Sequence, residues 1–130
     1  MLKDFNIIGD NRGSLISIES KIDVPFEIKR VYYIFGNKNN VRRGFHAHKN
    51  LQQVLIAVAG SCKILLDNGK NKQEVLLDLP SKGLLIKDCM WREMFDFSSD
   101  CVLLVLANEH YDENDYIRDY NQFLDLWKKQ

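Results

Sequence analysis

The chain has 130 residues, 45% of them hydrophobic, and 18 Lys and Arg balance 18 Asp and Glu so that the formal net charge is zero. That length suits one hydrophobic core and predicts a single domain over 1–130. The even charge excludes the basic footprint of a nucleic-acid binder, and no apolar run approaches the ~18 residues of a membrane span or the core of a signal peptide.

The first strand signal, Ser14-Leu15-Ile16-Ser17-Ile18-Glu19, follows a turn cluster, Gly9-Asp10-Asn11-Arg12-Gly13. Val24-Pro25-Phe26 interrupts it, because proline cannot donate to a ladder. Arg30 to Phe35 is rich in β-branched and aromatic residues and reads as a strand. A polar loop leads to a strand containing Arg43-Gly44-Phe45-His46-Ala47-His48, and an apolar strand, Val54 to Ala59, follows. Cys62 to Leu66 and Glu74 to Leu79 flank Asp67-Asn68-Gly69-Lys70; Asn-Gly is a strong hairpin signal because both residues tolerate positive φ. Leu84 to Ile86, Trp91 to Phe95 and Cys101 to Ala107 complete the set. Short strands at a spacing of about 8–12 residues, with turns between, predict an all-β antiparallel sandwich or barrel. From Asp112 the pattern changes: Tyr116, Ile117, Tyr120, Phe123, Leu124 and Trp127 recur at helical spacing, which predicts a C-terminal amphipathic helix broken near Tyr120. Cys62, Cys89 and Cys101 are dispersed, which reads as thiols in a reducing compartment and makes the cytoplasm the expected location.

His46 and His48 carry the sharpest chemistry. In a strand, positions two apart share a face, so both imidazoles point one way and Phe45 and Ala47 the other. On an inward face, such a pair is half a metal site or a pair of acid/base groups. The spacing resembles the first cupin motif, G-x5-H-x-H-x3,4-E-x6-G, with Gly60 at its last position. Gln53 stands where that motif has its glutamate and Asn40 where it has its first glycine. The second motif, expected between Gly83 and Met94, contains no histidine. Two neutral imidazoles and an amide are a poor transition-metal ligand set. The expectation is therefore no metal, with the histidines free for proton transfer near neutral pH.

These pieces together resemble the dTDP-sugar 3,4-ketoisomerases, metal-independent cupins of deoxysugar biosynthesis. The resemblance runs through Asp10-Asn11-Arg12-Gly13-Ser14-Leu15, Val24-Pro25-Phe26, Arg30-Val31-Tyr32-Tyr33, Arg43 to Lys49, Leu66-Asp67-Asn68-Gly69, Trp91-Arg92-Glu93 and Tyr111 to Ile117. It implies a jelly-roll cupin, a homodimer with exchanged N-terminal strands, and a dTDP-linked 4-keto-6-deoxyhexose as substrate. The implied reaction moves the ketone from C4 to C3 through an enediol(ate), without a redox cofactor. His46 and His48 are then the catalytic pair, with His48 as the C3 base and His46 as the relay or C4 donor. Arg43 at the mouth of the strand is a candidate for pyrophosphate or enediolate charge. Tyr33 is a candidate donor to the sugar oxygens, with Tyr32 as alternate because one of the two faces outward. Trp91 is a candidate pocket wall and Arg12 a phosphate contact, across a dimer. Core packing and solvent exposure are the rival readings of these last residues. The competing functions are a cupin sugar-nucleotide epimerase, which typically pairs His with Asp although no Asp partner stands out in the sequence, and a non-catalytic sugar-nucleotide-binding cupin.

Overall fold

A computed structural model describes residues 1–38, 40–87 and 89–129. Among them the strands run β1 (Leu2–Asp4), β2 (Ile8–Asp10), β3 (Gly13–Leu15), β4 (Arg30–Ile34), β5 (Arg43–His48), β6 (Gln53–Ala59), β7 (Cys62–Asp67), β8 (Lys72–Leu77), β9 (Lys82–Ile86), β10 (Trp91–Phe95), β11 (Val102–Ala107) and β12 (Tyr116–Ile117), and one helix, α1 (Tyr120–Lys128), closes the chain. Two five-stranded antiparallel sheets form, in the orders β1-β9-β6-β11-β4 and β12-β5-β10-β7-β8. This is the all-β cupin jelly roll that the family resemblance implies, closed by the short C-terminal helix that the aromatic spacing predicts.

Alternation fills the space between the sheets. Leu55 and Ala57 of β6, Ile64 and Leu66 of β7, Leu103 and Val105 of β11, and Met94 of β10 belong to one buried cluster. The opposite face of β6, Val54 and Ile56, packs with Phe5, Val24 and Phe26 from the N-terminal segment. Coverage on both faces explains why β6 reads as a continuous apolar run rather than as an alternating one. Trp91, Ala47, Ile117 and Phe123 form a third cluster where α1 covers the outer face of the second sheet.

The turn chemistry follows the sequence. Gly69 has a φ of 91°, and the Asn68 side chain accepts from the backbone N–H groups of Lys70 and Asn71. Gly60, at the last motif position, has a φ of 64°, and a Cβ there would lie 2.6 Å from the Asp100 carboxylate. Asn40 holds a φ of 64° where the motif has glycine, a conformation asparagine tolerates better than most residues.

Two expectations are corrected. The strand expected to continue from Ser14 to Glu19 ends at Leu15, and Ile16 and Ile18 pack instead against the outer cluster. The helix expected from Asp112 begins only at Tyr120, where the Asp119 side chain caps the N–H groups of Asn121 and Gln122. Tyr116 and Ile117, two residues of its apolar stripe, instead pair with His48 and Ala47 of β5. A strand edge beside β5 offers those residues backbone partners that a longer helix would leave unused.

Candidate active site

β5 supplies the two histidines, and a bulge sets their direction. Gly44 has a φ of 93° and Phe45 of 58°, opposite a register shift between Arg92 and Glu93 of β10. A Cβ on Gly44 would sit 2.8 Å from the Arg92 carbonyl oxygen, so the two strands approach this closely only over glycine. A bulky residue such as Phe45 at positive φ stores about 1–3 kcal/mol, strain that bulges near working sites commonly hold.

Beyond the bulge both imidazoles point inward, with ring centroids 4.9 Å apart and edge to face. His46 lines a cavity of about 440 Å³ together with Arg30, Tyr32, Arg43, Tyr116 and Arg118. His48 lies behind it, 1% exposed, with Tyr116 against its ring at 4.4 Å. His48 Nδ1 is 3.1 Å from Asp115 Oδ2, and Asp115 Oδ1 accepts from the Asn50 N–H. A carboxylate partner fixes the Nδ1–H tautomer and leaves Nε2 as a lone pair; that atom is buried without a partner among the described residues.

Burial comes first among the electrostatic causes. It pulls the His46 imidazole from 6.5 to about 4; the Arg92 guanidinium pushes the same way, while a hydrogen bond to the Gly44 backbone opposes it. Burial, Arg92 and His46 also hold His48 below its ordinary value. Both imidazoles are therefore neutral at pH 7 and able to accept a proton.

Arg92 is 0% exposed and fills the inward position of β10 opposite His46. Its Nη1 donates to Gln53 Oε1 at 2.5 Å and its Nη2 to the Met90 carbonyl at 2.9 Å. Gln53 Nε2 in turn donates to the Tyr32 hydroxyl at 3.0 Å. The described residues around the two imidazoles are a poor metal-ligand set. A fixed cation bonds the amide that replaces the motif's glutamate, and no group of three His, Cys, Asp or Glu side chains is placed to hold a metal among the described residues.

Of the residues singled out from sequence, His46 and Arg43 lie on the cavity wall and His48 directly behind it. Tyr33 does not reach the cavity: it is 61% exposed on the outer face of β4, and alternation gives the inward place to Tyr32. Trp91 does not wall the cavity either. It points out of the barrel, 4% exposed, against Tyr120 and Phe123 of the helix layer, and its inward neighbour is Arg92. Arg12 sits on the β2–β3 hairpin, its side chain 88% exposed and paired with Asp10, away from this chain's own cavity. Asp115 is the histidine partner that the sequence did not reveal. Nothing in linear spacing ties it to His48, 67 residues earlier. The pairing of Gln53 with Arg92 was likewise not legible: Gln53 stood at the motif's glutamate position, but nothing in linear spacing joins it to residue 92.

Trp91→Ala checks this placement. A large-to-small change under the helix costs about 3–5 kcal/mol, so a lower melting temperature with turnover per folded molecule within threefold of wild type is expected.

Residues 1–128 match the family model FdtA: WxcM-like, C-terminal. The chain is 55% identical over 120 residues to the TDP-4-oxo-6-deoxy-alpha-D-glucose-3,4-oxoisomerase of Aneurinibacillus thermoaerophilus, covering 92% of this chain and 86% of the relative. It is similar to the crystal structure of a mutant of the 3,4-ketoisomerase QdtA from Thermoanaerobacterium thermosaccharolyticum in complex with TDP-4-keto-6-deoxyglucose: TM-score 0.98, 51% identity, 100% of this chain and 94% of that one. It is also similar to the WlaRB TDP-quinovose 3,4-ketoisomerase from Campylobacter jejuni, with TM-score 0.93, 54% identity and 96% of each chain covered.

Proposed function

The chain belongs to the FdtA family of WxcM-like C-terminal domains, and from that membership we infer that it is an isomerase converting a dTDP-4-keto-6-deoxyhexose to the 3-ketone. One observation carries the mechanism: a neutral imidazole, His46, stands on the wall of a cavity that also presents Arg30, Arg43 and Arg118. The arginines suit a diphosphate, which a planar guanidinium binds bidentately. The 4-ketone acidifies the proton on C3. His46 removes that proton, the electron pair moves onto O4 as an enediolate, a proton passes from O3 to O4, and C4 is reprotonated. No electrons leave the sugar, so the reaction calls on no redox cofactor.

His46 is the base and His48 the relay behind it. This reverses the order expected from sequence, because His46 alone of the two lines the cavity. Tyr32 replaces Tyr33 as the hydroxyl that meets the sugar oxygens. Arg92 at the barrel centre supports a metal-free mechanism. The expected result is isomerisation of TDP-4-keto-6-deoxyglucose, followed by NMR, at a rate unchanged by a chelator. Unchanged substrate, or activity that EDTA removes and zinc or iron restores, contradicts the reading.

A base whose pKa lies near 4 places the acid limb of kcat/KM near that value rather than near 6.5. Stability moves with pH in the same window. Below pH 6.5 the unfolded chain protonates histidines that the folded chain keeps neutral, so the fold loses stability as pH falls from 6.5 towards 4. Initial rates between pH 4 and 8, with circular dichroism at each pH, check both; an acid limb at 6.5 in fully folded protein contradicts the assignment.

The partner is a second copy of this chain, with the β2–β3 hairpin exchanged; β1, also expected to cross over, pairs with β9 of its own chain. The support is the β2–β3 hairpin, which pairs with neither five-stranded sheet and exposes Ile8 and Leu15. Arg12, on its tip, then meets the other subunit. Light scattering is expected to give about twice the 15.2 kDa chain mass, and Leu15→Asp to shift it towards the monomer; a wild-type monomer contradicts the exchange. Buried thiols at Cys62 and Cys101 support a cytoplasmic site of action.

A further inference from the structure

Three side chains inside the barrel form a hydrogen-bond chain with only one possible direction. Arg92 is donor-only, so the Gln53 atom 2.5 Å from its Nη1 is the amide oxygen. The amide nitrogen then faces Tyr32, and at 3.0 Å it can only donate. The Tyr32 oxygen is thus committed as an acceptor on its inner side, and among the described residues its own proton has no acceptor. Arg92 and Gln53 are 0% and 2% exposed, so water does not scramble this order, and Tyr32 lines the cavity.

Resting on the isomerase reading, we propose that Gln53, anchored by Arg92, is a positioning residue that aims the Tyr32 O–H at the sugar oxygen on which enediolate charge develops. A hydroxyl free to rotate would divide its time between donating inward and donating to the substrate. With the inner side occupied by an N–H, only the outward direction remains. The guanidinium at the far end polarises the chain, which strengthens the terminal donor as negative charge builds on the sugar. An arginine buried in a core, with no carboxylate in contact among the described residues, has a role here that packing alone does not supply.

Gln53→Glu reverses the chain at nearly constant volume. A carboxylate accepts from both Arg92 and Tyr32, turning the Tyr32 proton inward. The expected result is a kcat lower by at least about 100-fold, the scale of losing one preorganised donor to an oxyanion, with KM and TDP affinity within threefold and no fall in melting temperature. Assays run in chelator, because a carboxylate beside two imidazoles could recruit a metal. Tyr32→Phe is expected to lose kcat to a similar degree, and Gln53→Glu in that background to lose little more. A Gln53→Glu enzyme with kcat within threefold of wild type overturns the proposal. So does an undiminished Tyr32→Phe enzyme, which decides the matter even if Gln53→Glu fails to fold. Full additivity in the double variant also overturns it. Wild type without turnover defeats the isomerase reading and the proposal with it; active wild type with an unaffected Gln53→Glu defeats the proposal alone.

Discussion

His46→Asn is expected to lower kcat by about 10²–10⁴-fold while leaving TDP affinity within threefold, because positioned proton transfer contributes on that scale and the arginines at the mouth are untouched. Asparagine keeps a polar side chain of similar reach but cannot accept a proton near neutral pH. His48→Asn is expected to lose less. It removes the Asp115-oriented imidazole behind the base, not the group on the cavity wall. Steady-state rates and isothermal titration with TDP on the same preparations check the pair. Equal binding with undiminished turnover in His46→Asn contradicts the assignment, and a larger loss at His48 restores the order expected from sequence.

Arg92→Met separates function from stability. Loss of the guanidinium strands two acceptors, Gln53 Oε1 and the Met90 carbonyl, at about 1–3 kcal/mol each. Against this stands the relief of burying a cation that has no carboxylate in contact among the described residues, a penalty of several kcal/mol. The two nearly offset, so the melting temperature is expected to change little. Turnover is expected to fall by at least about 100-fold, because the Gln53 amide is then free to flip and Tyr32 loses its fixed direction. The residual activity carries a second signature. With the positive neighbour gone, the His46 imidazole rises from about 4 towards its ordinary value, and the acid limb moves upward with it. Chemical denaturation and a pH–rate profile measure both; a large loss of stability with unchanged turnover per folded molecule makes Arg92 a purely structural residue.

Much of the barrel was legible because its signals are local. Asn68-Gly69 specifies its own turn, and alternating or continuous apolar runs specify strands whose faces are half or fully covered. The His46–His48 pair was legible for the same reason: a period of two puts both rings on one side whatever the strand pairs with. What escaped depends on long-range pairing. Whether Tyr32 or Tyr33 faces inward is fixed by the register of β4 on β11. Whether Trp91 or Arg92 does is fixed by β10 lying between β5 and β7. The helical spacing of Tyr116 and Ile117 is real, yet a free edge on β5 outcompetes it, and that edge carries Asp115 to His48. A buried arginine also runs against composition-based expectation, since charged residues are almost never fully buried unless paired.

The most direct test of the account is isomerisation of TDP-4-keto-6-deoxyglucose in deuterium oxide with chelator present. Proton transfer through an enediolate by solvent-exchangeable imidazoles predicts deuterium on C4 of the 3-keto product. A product carrying only protium at C4, formed by His46→Asn at an undiminished rate, would mean that hydrogen passes between the carbons without the imidazole, and the histidine mechanism would be wrong.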